Sequence, residues 1–426
     1  MGAIDDRASR AGAPARLRHN PAFMRLWVGE TVSIFGSRMG GVAISFAAVI
    51  GLGATPIQMG LLTALRIAPA LAVSLFAGVW VDRLARRPIL IAADLGRALL
   101  LGTIPLAAFA ATLRIEHLYA VMFVVAMLDV AFDVAYRTYL PSLVAREQLI
   151  DANSKLTASS AVAEVAGFGL AGWLVQWLSA PFAILMDALT FVFSAGAIAG
   201  IHAEEARSDH RRQRDGLLRE IASGARAVAH DARLRAFALT NATVTFSAGV
   251  FGAAYMLYVV NSLGLSPGVL GLIFGVGGAS ALLGALAAGR VTGWLGVGGS
   301  MIACLVIDSV AMMFIPMASG AGLIAVTFLV AHQLGDSAGT IYEINAISLA
   351  QSIAEERMLG RVNATLRFLA QATALLGALA GGAVGELAGL RAALVLGAIG
   401  VGAAALWLAA SPLARHSPKA ASAAPS

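Results

Sequence analysis

The sequence predicts an all-α membrane protein: twelve transmembrane helices arranged as two pseudo-symmetric six-helix bundles. Three observations carry that reading: long apolar runs, basic residues gathered on one side of them, and an internal repeat. The 426 residues are 59% hydrophobic and only 13% charged, with a mean hydropathy of +0.80. Soluble domains carry about 25% charged residues, so half the usual solvating charge is missing. The 46 glycines suit membrane helices, which pack through small residues because lipid offers no hydrophobic drive for association.

A span needs about 20 mostly apolar residues. Such runs lie near 23–50, 57–81, 88–112, 118–142, 156–178 and 181–201. A second set lies near 234–261, 267–289, 299–317, 321–349, 359–385 and 391–411. The chain thus divides into an N-terminal cytoplasmic segment (1–22), a first bundle (23–201), a central cytoplasmic loop (202–233), a second bundle (234–411) and a tail (412–426). In the central loop, Leu217, Leu218, Ile221, Ala225 and Val228 recur at helical spacing. That pattern predicts an amphipathic helix lying at the inner surface.

Orientation follows the positive-inside rule. With the N-terminus inside, the outer connections hold only Arg114 and Arg391 of the 30 Lys and Arg residues. The basic stretch before the first run has no apolar core or cleavage site, so the first span is expected to serve as the targeting signal. A multi-pass inner-membrane protein with both termini cytoplasmic is expected. The net charge of +6 does not indicate a nucleic-acid partner, because the arginines sit in short connections between spans. The six Trp residues lie near run ends, where the indole meets the headgroups. The single cysteine, Cys304, excludes a disulfide framework and a cysteine metal site.

The two sets match each other at an offset of about 210 residues, as in transporters built from six-helix repeats. Asp133 falls on Glu343, Leu149 on Leu359 and Asn153 on Asn363, and glycines 167–172 fall on glycines 377–382.

The connection after the second run reads Gly78-Val-Trp-Val-Asp82-Arg83-Leu-Ala-Arg86-Arg87. It resembles the loop 2–3 signature of the major facilitator superfamily, and with the spans, the long central loop and the repeat the resemblance covers nearly the whole chain. A finer resemblance is to the branch holding the enterobactin exporter and macrolide or natural-product exporters. It rests on Asn20-Pro-Ala-Phe-Met-Arg-Leu-Trp27, on Tyr139-Leu-Pro141 through Asn153, and on Glu220-Ile-Ala-Ser-Gly224 through Arg235. The chain departs from proton-coupled drug antiporters in two places. Phe168 follows Gly167 where Pro is expected, and the fourth run lacks an Arg at the start of its outer half.

The resemblance implies a gate in which Asp82 meets the start of the eleventh helix, a site where orphan N–H groups favour an anion. Gly78, Asp82, Arg83, Arg86 and Arg87 form that gating motif, with Arg361 or Arg367 as charge partners. It also implies that helices 1, 4, 7 and 10 line a central cavity. Charges inside apolar runs are costly and usually face a cavity. The candidates for substrate or proton contact are Glu30, Arg38, Arg66, Asp129, Asp133, Asn241, His332, Asp336 and Glu343. Asp129 and Asp133 share a helix face, as do His332 and Asp336. Asp133 and Arg137 have the spacing of a structural pair, and Asp94 and Arg97 look like an internal pair. Glu164, Asp187 and Asp308 have no assignment.

No catalytic, metal or phosphate-loop constellation is present, so no enzyme is expected, and Gly275-Val-Gly277-Gly278 reads as helix packing. The expected function is export of a siderophore, natural product or drug-like compound, by a monomer in the bilayer. The proton-motive force rather than a cofactor is expected to drive it. The alternatives are an importer or lipid flippase on the same fold, and a non-transporting receptor or assembly factor.

Overall fold

The computed structural model describes residues 17–74, 85–202, 217–320, 322–355 and 357–415, and nearly all of them are helical. In chain order the helices of the first half are α1 (Pro21–Phe46), α2 (Pro56–Ser74), α3 (Arg86–Phe109), α4 (Ile115–Leu143), α5 (Leu149–Leu178) and α6 (Ala180–Ala199). The linker helix α7 (Leu217–His230) follows. The second half comprises α8 (Ala232–Leu257), α9 (Pro267–Met317), α10 (Leu323–Leu334), α11 (Asp336–Ile353), α12 (Leu359–Leu387) and α13 (Leu390–Ala409). Among the described residues nine helices are long and apolar enough to cross a membrane. The predicted runs fall largely on helix wherever they are described, although the fifth helix begins at Leu149 rather than near 156 and the tenth run extends to Ile353 rather than 349. Two further details differ. The eighth and ninth runs form the 51-residue α9, broken at Gly296 (φ 73°, ψ 170°), a conformation that favours glycine. The tenth run divides at Gly335 into α10 and α11.

The bundles repeat in backbone as well as in sequence. Asn20 caps α1 by accepting the N–H groups of Ala22 and Phe23, both at 3.1 Å. Asp231 caps α8 in the same way, accepting from Arg233 at 2.7 Å and Leu234 at 3.2 Å. Partial burial works the other way, yet these donors and the Arg233 guanidinium hold the Asp231 carboxyl below its usual value. Both helices end in a π turn, Ala47–Gly51 and Tyr258–Ser262. Each is followed by a glycine at positive φ (Gly53, 60°; Gly264, 62°) and a proline that opens the next helix. All these pairs keep one common offset.

Packing follows the repeat. α1 lies against α5 and α6, and α8 lies against α12 and α13. The halves meet where α2 packs on α12 and α5 on α9. Both contacts use glycine for close backbone approach. A Cβ on Gly60 would lie 2.5 Å from the Ala378 carbonyl oxygen, and one on Gly172 would collide with the Pro267 carbonyl. These contacts sit where α2 and α9 begin and α5 and α12 end, so the halves are closed at the side away from the termini.

The linker helix α7 (Leu217–His230) forms where the sequence predicts a helix. It docks on α12: a Cβ on Gly224 would lie 2.6 Å from the Arg361 carbonyl oxygen, and Val228 joins the main core. Outward-pointing Leu99, Leu106, Leu286, Leu323 and Leu406 face the surroundings, as lipid-facing residues must. Trp177, Trp294 and Trp407 are exposed at helix ends, whereas Trp27 turns inward and donates to Ser159 Oγ at 3.0 Å.

Candidate functional site

Separation of the halves on the terminal side leaves a cavity of about 790 Å³ between them. α1 contributes Glu30, Ser33, Ser37 and Arg38 to its wall, and α4 contributes Asp129, Asp133 and Arg137. The second half answers with Arg367, Phe368 and Gln371 of α12. An adjoining cavity of about 340 Å³ is lined by Asn241 of α8, Glu343 of α11 and again Arg367. The lining therefore differs from the expected helices 1, 4, 7 and 10. α12, the eleventh run, closes the main cavity, while α8 and α11 face the smaller one.

One guanidinium organises the charge in the first half. Arg97 on α3 pairs with Asp94, one helical turn before it, and donates to Asp129 on α4 at 2.8 Å. Its carbon centre lies 4.4 Å from the Phe132 ring centroid and 4.2 Å from that of Phe191. Stacking of this kind holds a planar cation in one orientation. Asp94 is fully buried, while half of the Asp129 side chain is open to the cavity. Glu30 stands near this group, and its Oε2 has no hydrogen-bond partner among the described residues. Arg137 holds Asp133 at 3.1 Å, and Arg38 holds Glu164 of α5 at 3.6 Å.

The structure thus brings five of the predicted residues to the main cavity: Glu30, Arg38, Asp129, Asp133 and Arg367. Asn241 and Glu343 lie at the smaller one. Arg66 reaches α1 beside Gly41, close enough to feel the charges of Asp129 and Asp187. His332 and Asp336 line neither cavity, and they form no hydrogen bond or ion pair with each other among the described residues. Their four-residue spacing assumed one continuous helix, whereas the chain tightens at Gly335, whose N–H bonds to the His332 carbonyl at 2.8 Å. His332 instead packs against Phe251 and Tyr255, with centroids 5.7 and 6.2 Å away. Arg97 is the residue whose reach the sequence reading missed. Its spacing from Asp94 was visible, but the bond to α4 and the two flanking rings come from other helices.

Of the gating motif, Gly78, Asp82 and Arg83 lie outside the described residues. Arg87 donates to the Ile198 carbonyl at 3.2 Å and also to that of Ala199, satisfying the last carbonyls of α6. Arg86 opens α3 beside it. Arg361 accepts the Thr365 hydroxyl on its carbonyl at 2.9 Å and carries the docked linker helix. Arg367, expected beside Asp82, lines the cavities.

Known proteins agree with this geometry. The family model described as Major Facilitator Superfamily matches residues 26–368. An uncharacterised MFS-type transporter, y4rN of Sinorhizobium fredii, is 26% identical over 64% of this chain, and the match spans 66% of that relative, just under two thirds. The multidrug efflux pump Tap of Mycolicibacterium fortuitum is 27% identical over 76% of this chain and 80% of its own length. A bacterial homologue of the iron transporter ferroportin, 17% identical, superposes in its inward-facing state with a TM-score of 0.70 over 91% of this chain and 97% of that one. Its outward-facing state gives 0.57 over 91% and 98%. A cavity between two repeated bundles, closed at one side by glycine contacts, is therefore what the family match explains: this chain belongs to the Major Facilitator Superfamily and is a membrane transporter rather than an enzyme.

Proposed function

We propose that the chain exports a small drug-like compound, natural product or siderophore by alternating access, exchanging it for protons. The observation that carries this reading is the cavity itself. Among the described residues it is open on the terminal side and closed on the other, and it is lined by charges from both halves. The likeness to a multidrug efflux pump supports an export direction, and the basic residues of the terminal side support placing that side in the cytoplasm, with the protein in the inner membrane. On this reading Glu30, Asp129 and Arg367 meet the substrate's polar groups, while Phe132, Phe191 and Phe368 supply apolar contact. A membrane potential of 100 mV supplies about 2.3 kcal/mol per charge moved, so one or two protons per cycle sustain a useful gradient. Comparing secreted metabolites and drug tolerance of cells with and without the gene identifies the compound. Proteoliposomes loaded with that compound are then given an imposed pH gradient, inside-out and right-side-out. Gradient-driven movement away from the terminal face is the expected result; movement toward that face, or indifference to the gradient, defeats the proposal.

A further inference from the structure

Gly40 and Gly41 are neighbours on α1, and each makes room for a different charge. A Cβ on Gly40 would collide with the Asp187 carboxylate of α6, and one on Gly36, a turn earlier, would lie 2.8 Å from Asp187 Oδ1. A Cβ on Gly41 would lie 3.6 Å from the Arg66 guanidinium of α2. Between an acid on α6 and a base on α2, α1 thus places two residues without side chains.

Neither charge has found an ion-pair partner, and the one side chain hydrogen-bonding the Asp187 carboxyl is the neutral Thr190. Asp187 is 3% exposed, and its Oδ1 accepts no hydrogen bond. It forms no ion pair among the described residues, and neither does Arg66. The charged groups whose fields reach Asp187 are Asp129 from α4, Arg97 from α3 and Arg66 from α2. Arg97 is already shared by Asp94 and Asp129. α1 turns glycines to Asp187 and points Glu30 and Arg38 into the cavity, and Glu164 of α5 is held by Arg38. An ionised carboxylate in so dry a place, without a cation, neutralises instead. Of the cavity acids, Asp129 and Asp133 each hold a guanidinium, whereas Glu30 forms no ion pair among the described residues and faces the open cavity rather than a glycine notch.

We propose that Asp187 is the proton carrier of this transporter. It holds a proton while the cavity opens on the terminal side. It gives the proton up to the terminal side as substrate enters; in the alternate form displacement of α1 lets Arg66 hold the carboxylate through the Gly40–Gly41 notch until a proton arrives from the far side. One proton bound and one released per cycle balance the step, and α1, which lines the substrate cavity, senses the change directly. The inference rests on the proton-exchange reading above and names its coupling group.

The test uses the full chain in lipid vesicles, with spin labels on Thr112→Cys and Ser319→Cys in the connections on the closed side; the native Cys304 is buried. In the wild-type background the label distance is expected to lengthen as pH rises. In Asp187→Asn, isosteric with the protonated acid, it should stay short at every pH. Arg66→Gln should move the midpoint of the change to higher pH, because the ionised acid loses its partner. Infrared spectra should show a protonated-carboxyl band in the wild type that Asp187→Asn lacks. A pH response retained in Asp187→Asn, an unchanged band, or an Asp187→Asn chain that fails to fold each overturns the assignment. Gradient-driven export that persists in Asp187→Asn defeats this inference alone. Its absence from the wild type defeats the proton-exchange reading instead.

Discussion

The two halves share a backbone plan and differ in how they treat charge. In the first half four intramembrane acids, Asp94, Asp129, Asp133 and Glu164, are engaged by arginines on α1, α3 and α4, while Glu30 and Asp187 form no ion pair among the described residues. In the second half Asp308, Asp336 and Glu343 form no ion pair among the described residues. Contacts between its helices include neutral ones: Thr245 with Thr373 at 2.7 Å, Thr292 with Asn345 at 3.0 Å, and Ser280 donating to the Leu334 carbonyl at 2.9 Å. Its interhelical guanidinium, Arg391, serves Tyr258 and the Ala318 carbonyl instead of an acid. The caps, π turns and positive-φ glycines repeat because each answers a local backbone need. The charges do not repeat, so the symmetry belongs to the scaffold and the chemistry to one side of it.

That contrast can be broken most severely at Arg97. Replacing it with Met strands the fully buried Asp94, and loss of one partner of a buried pair costs about 3–5 kcal/mol. The melting temperature of Arg97→Met in detergent should fall sharply, and adding Asp94→Asn should restore most of it. A double variant no more stable than the single one would show that the pair is not what holds α3.

The closed side offers a test of the repeat. Gly60→Leu and Gly172→Leu insert a side chain where backbones touch, and overpacking costs about 1–3 kcal/mol. Both should lengthen the spin-label distance across the closed side. Gly289→Leu, at a position with open space around it, should not. A response from only one of Gly60 and Gly172 would mean that the two contacts are not equivalent.

The second half should tolerate loss of charge. Asp336→Asn removes an acid that has no cation, so thermal stability should hold or rise by up to about 1 kcal/mol. Clear destabilisation would point to a partner formed elsewhere in the cycle. The smallest effect belongs to Asp133→Asn. The Asp133 and Arg137 side chains are 52% and 64% exposed, and such pairs contribute about 1 kcal/mol or less. Its consequence should appear in substrate affinity, with the melting curve almost unmoved.

Legibility in the sequence followed the same division. The helices, most of their ends and the repeat were readable because a chain in lipid must satisfy its backbone within each segment, and hydropathy, caps and glycines report that requirement locally. The pairing of Asp133 with Arg137 was readable because one helix holds both. Asp187 was passed over, since nothing in its own run shows that Gly36 and Gly40 of α1 lie against it. His332 and Asp336 were joined on a helical spacing that Gly335 alters.

By itself, then, the amino-acid order determined an all-α membrane chain of two repeated halves, with its charges distributed by depth and side. Only the tertiary structure decided that Arg97 serves two acids, that α7 docks on α12, that α12 closes the cavity, and that Asp187 and Arg66 flank a pair of glycines without meeting. Depth is a property of position along one helix, whereas partnership depends on which helices face each other, and that is set by packing between segments far apart in the chain.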